Sequence, residues 1–402
     1  MHENQYNDRI STNIEFHKML NIKIEDGENE HKKQYENTVE FYGDVQLRWA
    51  QIAARNAAIQ AIANGVRTIL LLMPTGIGKT NTIASTLDCV EIRDALKIKE
   101  DRKLRVVFIA HINRLLTQAE RTFANSNNVE LTLITPFTEW DAKIFEHCDL
   151  VVIDEAHHEA MMSIQLQLDK TVHKPIIGLT ATDSRSDGMV IKFEKIINVC
   201  SREEAVAEGW LAETSIWSFI DTTGKNKLPL LQNVIKNYHE QMERAIIFVR
   251  TLAEVTVITD FINNTIGKRA VGLIKQSATE IDTILDDFSL GNYDFIVNCS
   301  KLGEGIDVKG CVSVVLGRNI GSYTDLNQYI GRSARPDSDS RIFELVNPIS
   351  GTNLDTTVIT GDPVMHKLCS PQPDGSFLEY DFHYKNTSFV DSSIVSGIQI
   401  RH

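Results

Sequence analysis

The apolar positions of this chain fall into short continuous runs, and polar helical stretches separate one run from the next. The runs are TILLLM, VVFIAH, TLITPF, LVVIDEA and IIGLTAT in the first half, then AIIFVR, AVGLI, DFIVNC, VSVVLG and RIFELV in the second. Continuous Val/Ile/Leu runs are typical of parallel strands that helices cover on both faces. The pattern therefore predicts an α/β fold with two units of similar size in tandem.

The length of the chain agrees with two units. A chain of 402 residues is too long for one compact core, so we expect two domains with appendages. An Ala-rich helix, LRWAQIAARNAAIQAIANG, begins the first domain, and we expect it to end at Gly65. We place an N-terminal extension at 1–43, domain 1 at 44–200, a connecting segment at 201–214, domain 2 at 215–347 and a C-terminal tail at 348–402.

Charge and cysteine content narrow the class of protein. The net charge of −13 argues against a protein that simply coats nucleic acid, because neutralisation of phosphates drives such binding. An acidic protein can still bind a strand through a local basic track. The six scattered cysteines form no CxxC pair, which is typical of reduced thiols in a cytosolic protein. The N-terminus has no apolar signal core, and the longest apolar runs are too short to span a bilayer. We therefore expect a cytoplasmic protein (in the host cytoplasm if a phage encodes it) without a membrane partner.

The stretch LLMPTGIGKT ends an apolar run in a loop with almost no side chains. Small residues before a helix let backbone N–H groups converge on a phosphate. Lys79 would reach the outer phosphates, and the Thr80 hydroxyl would hold Mg²⁺. Met73 stands where the phosphate-loop pattern has its first glycine, so an ordinary turn stays an alternative at this point. The candidate nucleotide contacts of the loop are Thr75, Gly76, Ile77, Gly78, Lys79, Thr80 and Asn81.

A second apolar run, VVIDEAH, ends in paired carboxylates. Acidic groups at the carboxyl end of a parallel strand face a ligand crevice. Asp154 would bind Mg²⁺ through water, and Glu155 would orient and deprotonate the attacking water. Two acids after a strand are otherwise ordinary solvated loop residues. A phosphate loop in the same domain favours the catalytic interpretation.

Taken together, these motifs resemble a known family. PTGIGKT, DEAH, the triplet Thr180–Thr182 and QYIGRSAR (Gln328–Arg335) resemble motifs I, II, III and VI of superfamily 2 helicases and translocases, in that order. The pattern is similar to small phage and bacterial helicases that remodel DNA forks, and to restriction-type (ResIII-like) motors. The resemblance implies two RecA-like domains, ATP and Mg²⁺ as cofactors, and a role for Thr180 and Thr182 in coupling.

The second half would complete an ATP site. Arg332 and Arg335 lie three residues apart, so they share one face of a helix. With Gln328 they would reach the γ-phosphate from the second domain as arginine fingers, the alternative being a surface ion pair. The stretch LGEGID resembles motif V, in which Gly305 and Asp307 couple nucleotide to nucleic acid.

The sequence Arg48-Trp-Ala-Gln51 resembles the adenine-reading Q motif. A glutamine amide offers both a donor and an acceptor, which suits the adenine edge. The alternative is a polar face on an amphipathic helix.

Candidate contacts to nucleic acid follow three strands. The resemblance places backbone-phosphate contacts at motifs Ia, Ib and IV, and such contacts position a strand without reading its sequence. An ordinary solvated residue is the alternative for each. These candidates are His111, Arg114, Thr135, Arg250 and Thr251.

The substrate preference rests on the wider pattern. DEAHH, TATDSRSDG and VNCSKLGEGIDVKG resemble DNA-directed members, but some RNA helicases share DEAH. We expect a monomeric ATP-dependent helicase or translocase on forked, branched or single-stranded DNA, in recombination, repair or replication. An RNA helicase, or an ATP-gated clamp without strand separation, is the alternative. A nuclease is not expected, because Asp381 is followed two residues later by His383 rather than Lys.

Overall fold

The computed structural model describes 23–26, 28–111, 113–124, 126–136, 143–156, 173–181, 193–221, 227–299, 301–302, 308–320, 323–333, 339–347, 356 and 363–381. Among these residues, no helix combines the length and the apolar character that crossing a membrane requires.

The first half builds a seven-stranded sheet in which every strand pair is parallel. Its strands are β1 (Lys23–Asp26), β4 (Thr68–Leu72), β5 (Leu104–Ile109), β6 (Val129–Ile134), β7 (Leu150–Ile153), β8 (Ile176–Thr180) and β9 (Lys195–Asn198), in the order β1-β9-β4-β8-β7-β5-β6. A small hairpin, β2 (Phe41–Tyr42) and β3 (Val45–Gln46), precedes them. The helices are α1 (Glu28–Tyr35), α2 (Trp49–Ala63), α3 (Lys79–Asp88), α4 (Val90–Ala95), α5 (Asn113–Phe123) and α6 (Lys143–His147).

Both faces of this sheet are covered, as the continuous apolar runs predict. Leu70 and Leu71 are neighbours on β4 and so point to opposite faces, yet both are fully buried. Leu71 belongs to the core against α2 and α3, and Leu70 to the core on the other face with Phe145. Because all strands run the same way, their carboxyl ends meet at one edge.

The second half builds an eight-stranded sheet. Its strands are β10 (Thr214–Ile220), β11 (Ala245–Phe248), β12 (Ala270–Leu273), β13 (Phe295–Asn298), β14 (Ser313–Leu316), β15 (Ser340–Val346), β16 (Met365–Pro371) and β17 (Phe377–Asp381), in the order β12-β13-β11-β14-β15-β10-β16-β17. The pairs are parallel except the last, β16 with β17. One further helix, α7 (Arg202–Ala207), precedes β10 and packs on the first sheet through Ala205. The helices of the second half are α8 (Lys227–Met242), α9 (Leu252–Phe261), α10 (Ala278–Ser289) and α11 (Tyr323–Ile330), and a π turn (Ile262–Ile266) continues α9. The predicted α/β class with two tandem units is thereby confirmed.

Two segments that the sequence assigns to appendages extend the sheets instead. β1 lies within the predicted N-terminal extension and pairs with β9. β16 and β17 lie within the predicted C-terminal tail and continue the second sheet beyond β10. Phe377 of β17 packs edge-on against Phe219, with ring centroids 5.0 Å apart. These short strands at or near a sheet edge need one apolar face at most, so they lack the continuous apolar run that marks the central strands.

Candidate nucleotide site

The loop between β4 and α3 has the geometry of a phosphate-binding turn. Gly76 and Gly78 take φ values of 93° and 91°, a left-handed conformation that favours glycine. A Cβ atom on Gly78 would lie 2.6 Å from Gln51 Nε2, so the close approach of Gln51 also requires glycine there. Met73, in place of the expected first glycine, is buried, and its N–H donates to the Thr180 carbonyl at 3.0 Å. The residue at 73 therefore helps to anchor the loop to the end of β8.

Lys79, Thr80 and Asn81 form the first turn of α3. All three are half-buried, and the backbone N–H groups of a first helical turn have no partner within the helix. An anion placed at this turn would meet those donors and the positive end of the helix dipole.

Gln51 holds the same loop from the side. Its Nε2 donates to the Ile77 carbonyl at 3.1 Å and to the Gly78 carbonyl at 3.2 Å, and its Oε1 accepts from the Arg48 N–H at 2.8 Å. An amide has two hydrogens to donate, and in this conformation both point to the loop. Gln51 therefore braces the loop here, and its contact with a base stays a prediction.

The paired carboxylates follow β7. Asp154 is 7 % exposed and its Oδ1 accepts from the Glu155 N–H at 3.0 Å. Glu155 takes a left-handed φ of 49°, and its Oε1 lies 3.7 Å from Lys79 Nζ. Burial, together with the charge of Glu155, raises the pKa of Asp154, and Lys79 partly opposes this. A divalent cation would offset the cost of charging this buried carboxylate, so Asp154 and the Thr80 hydroxyl fit a Mg²⁺ site.

Thr180 ends β8, next to the strand that carries the phosphate loop, and is fully buried. Its carbonyl accepts from Met73, which links the end of this strand to the loop. Four further predicted site residues (Thr182, Gly305, Asp307 and Arg335) and His157 of the DEAH sequence lie outside the described residues.

The second sheet contributes the turn after α11. A Cβ atom on Gly331 would lie 2.7 Å from Thr75 Cγ2, so this turn lies directly against the phosphate loop of the first sheet. Arg332 follows in the same turn and is half-buried, as is Gln328. Among the described residues the buried Nε2 of Gln328 meets no hydrogen-bond partner. Gln328 and Arg332 thus lie on the helix and turn that Gly331 joins to the phosphate loop.

The predicted nucleic-acid residues divide by exposure. His111 and Thr135 follow β5 and β6 at the same sheet edge and are buried. Arg250 is largely exposed, with Nη2 2.9 Å from Glu254 Oε1, while the Thr251 hydroxyl caps α9 by accepting from the Glu254 N–H at 3.2 Å. An exposed ion pair of this kind contributes about 0–1 kcal/mol, so a phosphate could replace Glu254. Arg114 lies in the first turn of α5, but its side chain is outside the described part of the chain.

Sequence reasoning missed Trp210, which follows α7 on the segment that joins the two sheets and packs against the core of the first. Its ring centroid is 5.3 Å from Arg48 Cζ and 5.5 Å from the centroid of Trp49. The only sequence signal is a large aromatic residue directly after Gly209, where a short helix ends.

Each half of the chain matches the model of a known protein family. The family model of the type III restriction enzyme res subunit matches residues 44–144, and that of the helicase conserved C-terminal domain matches 226–337. The type I restriction enzyme EcoAI endonuclease subunit of Escherichia coli is 26 % identical over 377 residues, covering 75 % of this chain and 46 % of its own. A 51.5 kDa protein of a Lactococcus phage is 24 % identical over 296 residues, covering 66 % of this chain and 62 % of its own. The chain thus spans about half to two thirds of the length of these curated relatives.

A solved structure shares the fold. A fragment assigned as the HsdR subunit of a type I restriction enzyme from Vibrio vulnificus YJ016 superposes with a TM-score of 0.64 at 18 % identity, covering 83 % of this chain and 70 % of that one. The two family models in this order, the shared fold and the phosphate-loop geometry agree with one another. The first half therefore carries a domain of the type III restriction enzyme res subunit family and the second half a helicase conserved C-terminal domain, and the chain consists of two RecA-like domains.

Proposed function

We propose that this chain is a DNA-stimulated ATPase that translocates on or remodels forked or branched DNA. The observation that carries the proposal is the contact between the turn after α11 and the phosphate loop, where Gly331 meets Thr75. This contact supports a site in which groups of both domains would surround one bound nucleotide, an arrangement that can convert hydrolysis into movement between domains.

The roles follow from chemistry at this cleft. Lys79 would hold the outer phosphates, and Thr80 with Asp154 would hold Mg²⁺. Bound Mg²⁺ would neutralise charge on the phosphate oxygens. Arg332, with Arg335, would stabilise the transferred phosphoryl group from the second domain, and Gln328 would complete that side.

The pair Lys79–Glu155 suggests how binding prepares the reaction. Its 3.7 Å separation is longer than the 2.7–2.9 Å of a charge-assisted hydrogen bond. We infer that Lys79 turns to the phosphates when ATP binds. Glu155 is then released to orient the attacking water and accept its proton.

DNA is the proposed substrate because the extended motif pattern is similar to DNA-directed members and to restriction-type motors. With a net charge of −13, the grip on DNA would come from a few backbone contacts such as Arg250 and Arg114. DNA shape would then select the substrate. We propose a monomer that acts in recombination, repair or replication.

The test is ATPase activity with single-stranded, duplex and forked DNA and with RNA, together with strand displacement on the fork. Lys79→Ala should reduce hydrolysis by about 100-fold or more, because a preorganised charge is lost. Lys103→Ala is the matched control, since this exposed lysine immediately precedes the amino end of β5, at the opposite sheet edge.

Three outcomes would count against parts of the proposal. Stimulation by RNA but by no DNA would overturn the substrate. Stimulation by forked DNA without translocation or strand displacement would favour the ATP-gated clamp. Full activity in Lys79→Ala would overturn the site.

A further inference from the structure

Trp210 lies on the segment that joins the two sheets. α7 ends at Ala207, and Gly209 turns the chain with a left-handed φ of 69°. The Trp210 N–H then donates to the Ala205 carbonyl at 2.8 Å, which fixes the backbone of Trp210 on α7. The chain continues into β10, the first strand of the second sheet.

The Trp210 side chain reaches back to the start of α2. Its ring packs against Trp49 at 5.5 Å between centroids, with an angle of 50° between the planes, and Arg48 Cζ lies 5.3 Å from its centroid. Tryptophan is the strongest aromatic partner for a cation, and a guanidinium within about 6 Å of the ring is in range. Both side chains are only partly exposed, and burial lowers the pKa of Arg48, so the indole compensates for water that the guanidinium has lost.

Arg48 is also connected to the phosphate loop. Its N–H donates to Gln51 Oε1, and Gln51 Nε2 donates to the Ile77 and Gly78 carbonyls. Arg48 therefore stands between the joining segment and the loop that we assign to phosphate. A guanidinium is planar and can stack on flat groups, and the Trp210 ring, at 5.3 Å from Arg48 Cζ, limits the directions in which this one can turn.

We propose that Trp210 is a positioning residue of the nucleotide site: it holds the Arg48 guanidinium so that the opposite face stacks on the purine base of ATP. This inference rests on the proposed ATP site and adds to it a dependence on the segment between the two sheets. Ala205 and Leu211, on either side of Trp210, belong to the core of the first sheet, and Trp210 packs against that core, so the joining segment holds the indole on the domain that carries the phosphate loop.

The experiment compares two ligands on the full chain. ATP needs the base surface and the phosphate loop, whereas inorganic tripolyphosphate needs only the loop. Trp210→Leu should weaken ATP binding about two- to fivefold, the range for a partly exposed cation–aromatic contact, and should leave tripolyphosphate binding unchanged. Trp210→Phe keeps an aromatic face and should recover part of the loss.

A double-mutant cycle connects the effect to Arg48. In an Arg48→Ala background, Trp210→Leu should no longer change the ratio of ATP to tripolyphosphate affinity, because its partner is absent. Trp217→Phe is the matched control: this tryptophan stacks on Phe343 within the second sheet, at 4.7 Å between centroids. It should leave the ratio unchanged.

Each contrary outcome has a definite meaning. Equal losses for both ligands in Trp210→Leu would show a general structural effect and overturn the inference. A phenylalanine variant no better than the leucine variant would also overturn it. A wild-type chain that binds neither ligand, with Lys79→Ala indistinguishable from it, would overturn the proposed ATP site as well.

Discussion

Each sheet carries a carboxylate at 7–9 % exposure near a strand end, and the two carboxylates have different surroundings. Glu344, on β15 of the second sheet, accepts a hydrogen bond from the Ser218 hydroxyl at 2.6 Å and another from the Thr356 hydroxyl. The Ser218 Oγ atom also lies 2.8 Å from His366 Nε2, within hydrogen-bond distance. Asp154, after β7 of the first sheet, accepts the Glu155 backbone N–H on Oδ1 and has charged neighbours, Lys79 and Glu155.

The difference separates a structural carboxylate from one arranged for a ligand. Hydroxyl donors at short distance satisfy both oxygens of Glu344 and hold the carboxylate within the second domain. Around Asp154 the charges are close but held at 3.7 Å in the Lys79–Glu155 pair, and the pKa of the buried acid is raised. Groups with such shifted pKa values cluster at functional sites. A magnesium–nucleotide complex would supply the charge that this arrangement lacks.

The largest expected effect is at the paired carboxylates of the first domain, Asp154 and Glu155. Glu155→Gln should lower kcat for ATP hydrolysis by about 100-fold or more, since an amide cannot accept the proton. ATP affinity should remain, and binding to nucleic acid with ATP should tighten because the closed state persists. Steady-state kinetics and equilibrium ATP binding check this. Loss of ATP affinity as large as in Lys79→Ala would contradict the role of Glu155.

A smaller effect is expected where the second domain meets the phosphate loop. Gly331→Ala places a methyl group 2.7 Å from Thr75 Cγ2, and overpacking of this kind costs about 1–3 kcal/mol. Pushing Arg332 away should reduce kcat by about tenfold. In the double variant Gly331→Ala/Thr75→Ser, serine lacks the Cγ2 methyl that the new alanine would contact. The double variant should therefore have a higher kcat than Gly331→Ala.

The control for this prediction lies within the second sheet. A Cβ atom on Gly272 would meet Thr259 Oγ1 at 2.7 Å, so Gly272→Ala crowds its own domain but not the loop. It should lower thermal stability and leave kcat within about twofold, as expected when only local packing changes. No recovery in the double variant would show that the Thr75 contact does not control the turn.

The smallest effect on catalysis is expected at the second carboxylate. Glu344→Gln leaves one of two hydroxyl donors without an acceptor, which should lower the free energy of unfolding by about 1–3 kcal/mol. Denaturant unfolding of the full chain measures this loss. kcat should stay unchanged, and a fall comparable to that of Glu155→Gln would remove the distinction between the two regions.

The central strands could be predicted because a strand buried on both faces requires a continuous apolar run, such as TILLLM or VVFIAH. The β1 strand, KIED, and the β17 strand, FLEYD, could not, because an edge strand is paired on one side and takes polar residues. The phosphate loop and paired acids were accessible because local spacing defines them. The hydrogen bonds from Gln51 to Ile77 and Gly78 and the Arg48–Trp210 contact were not, since they join residues 26 or more positions apart.

The left-handed backbone of Glu155, at φ 49°, has a consequence for how this protein can change. A residue with a Cβ atom in that conformation is strained by about 1–2 kcal/mol relative to glycine. Substitution by glycine would therefore relax the fold while removing the proposed base. Selection for thermal robustness alone would favour loss of this carboxylate, and selection for turnover would restore it. Activity and robustness compete at this one position, so stabilised variants obtained without an activity screen should be checked there first.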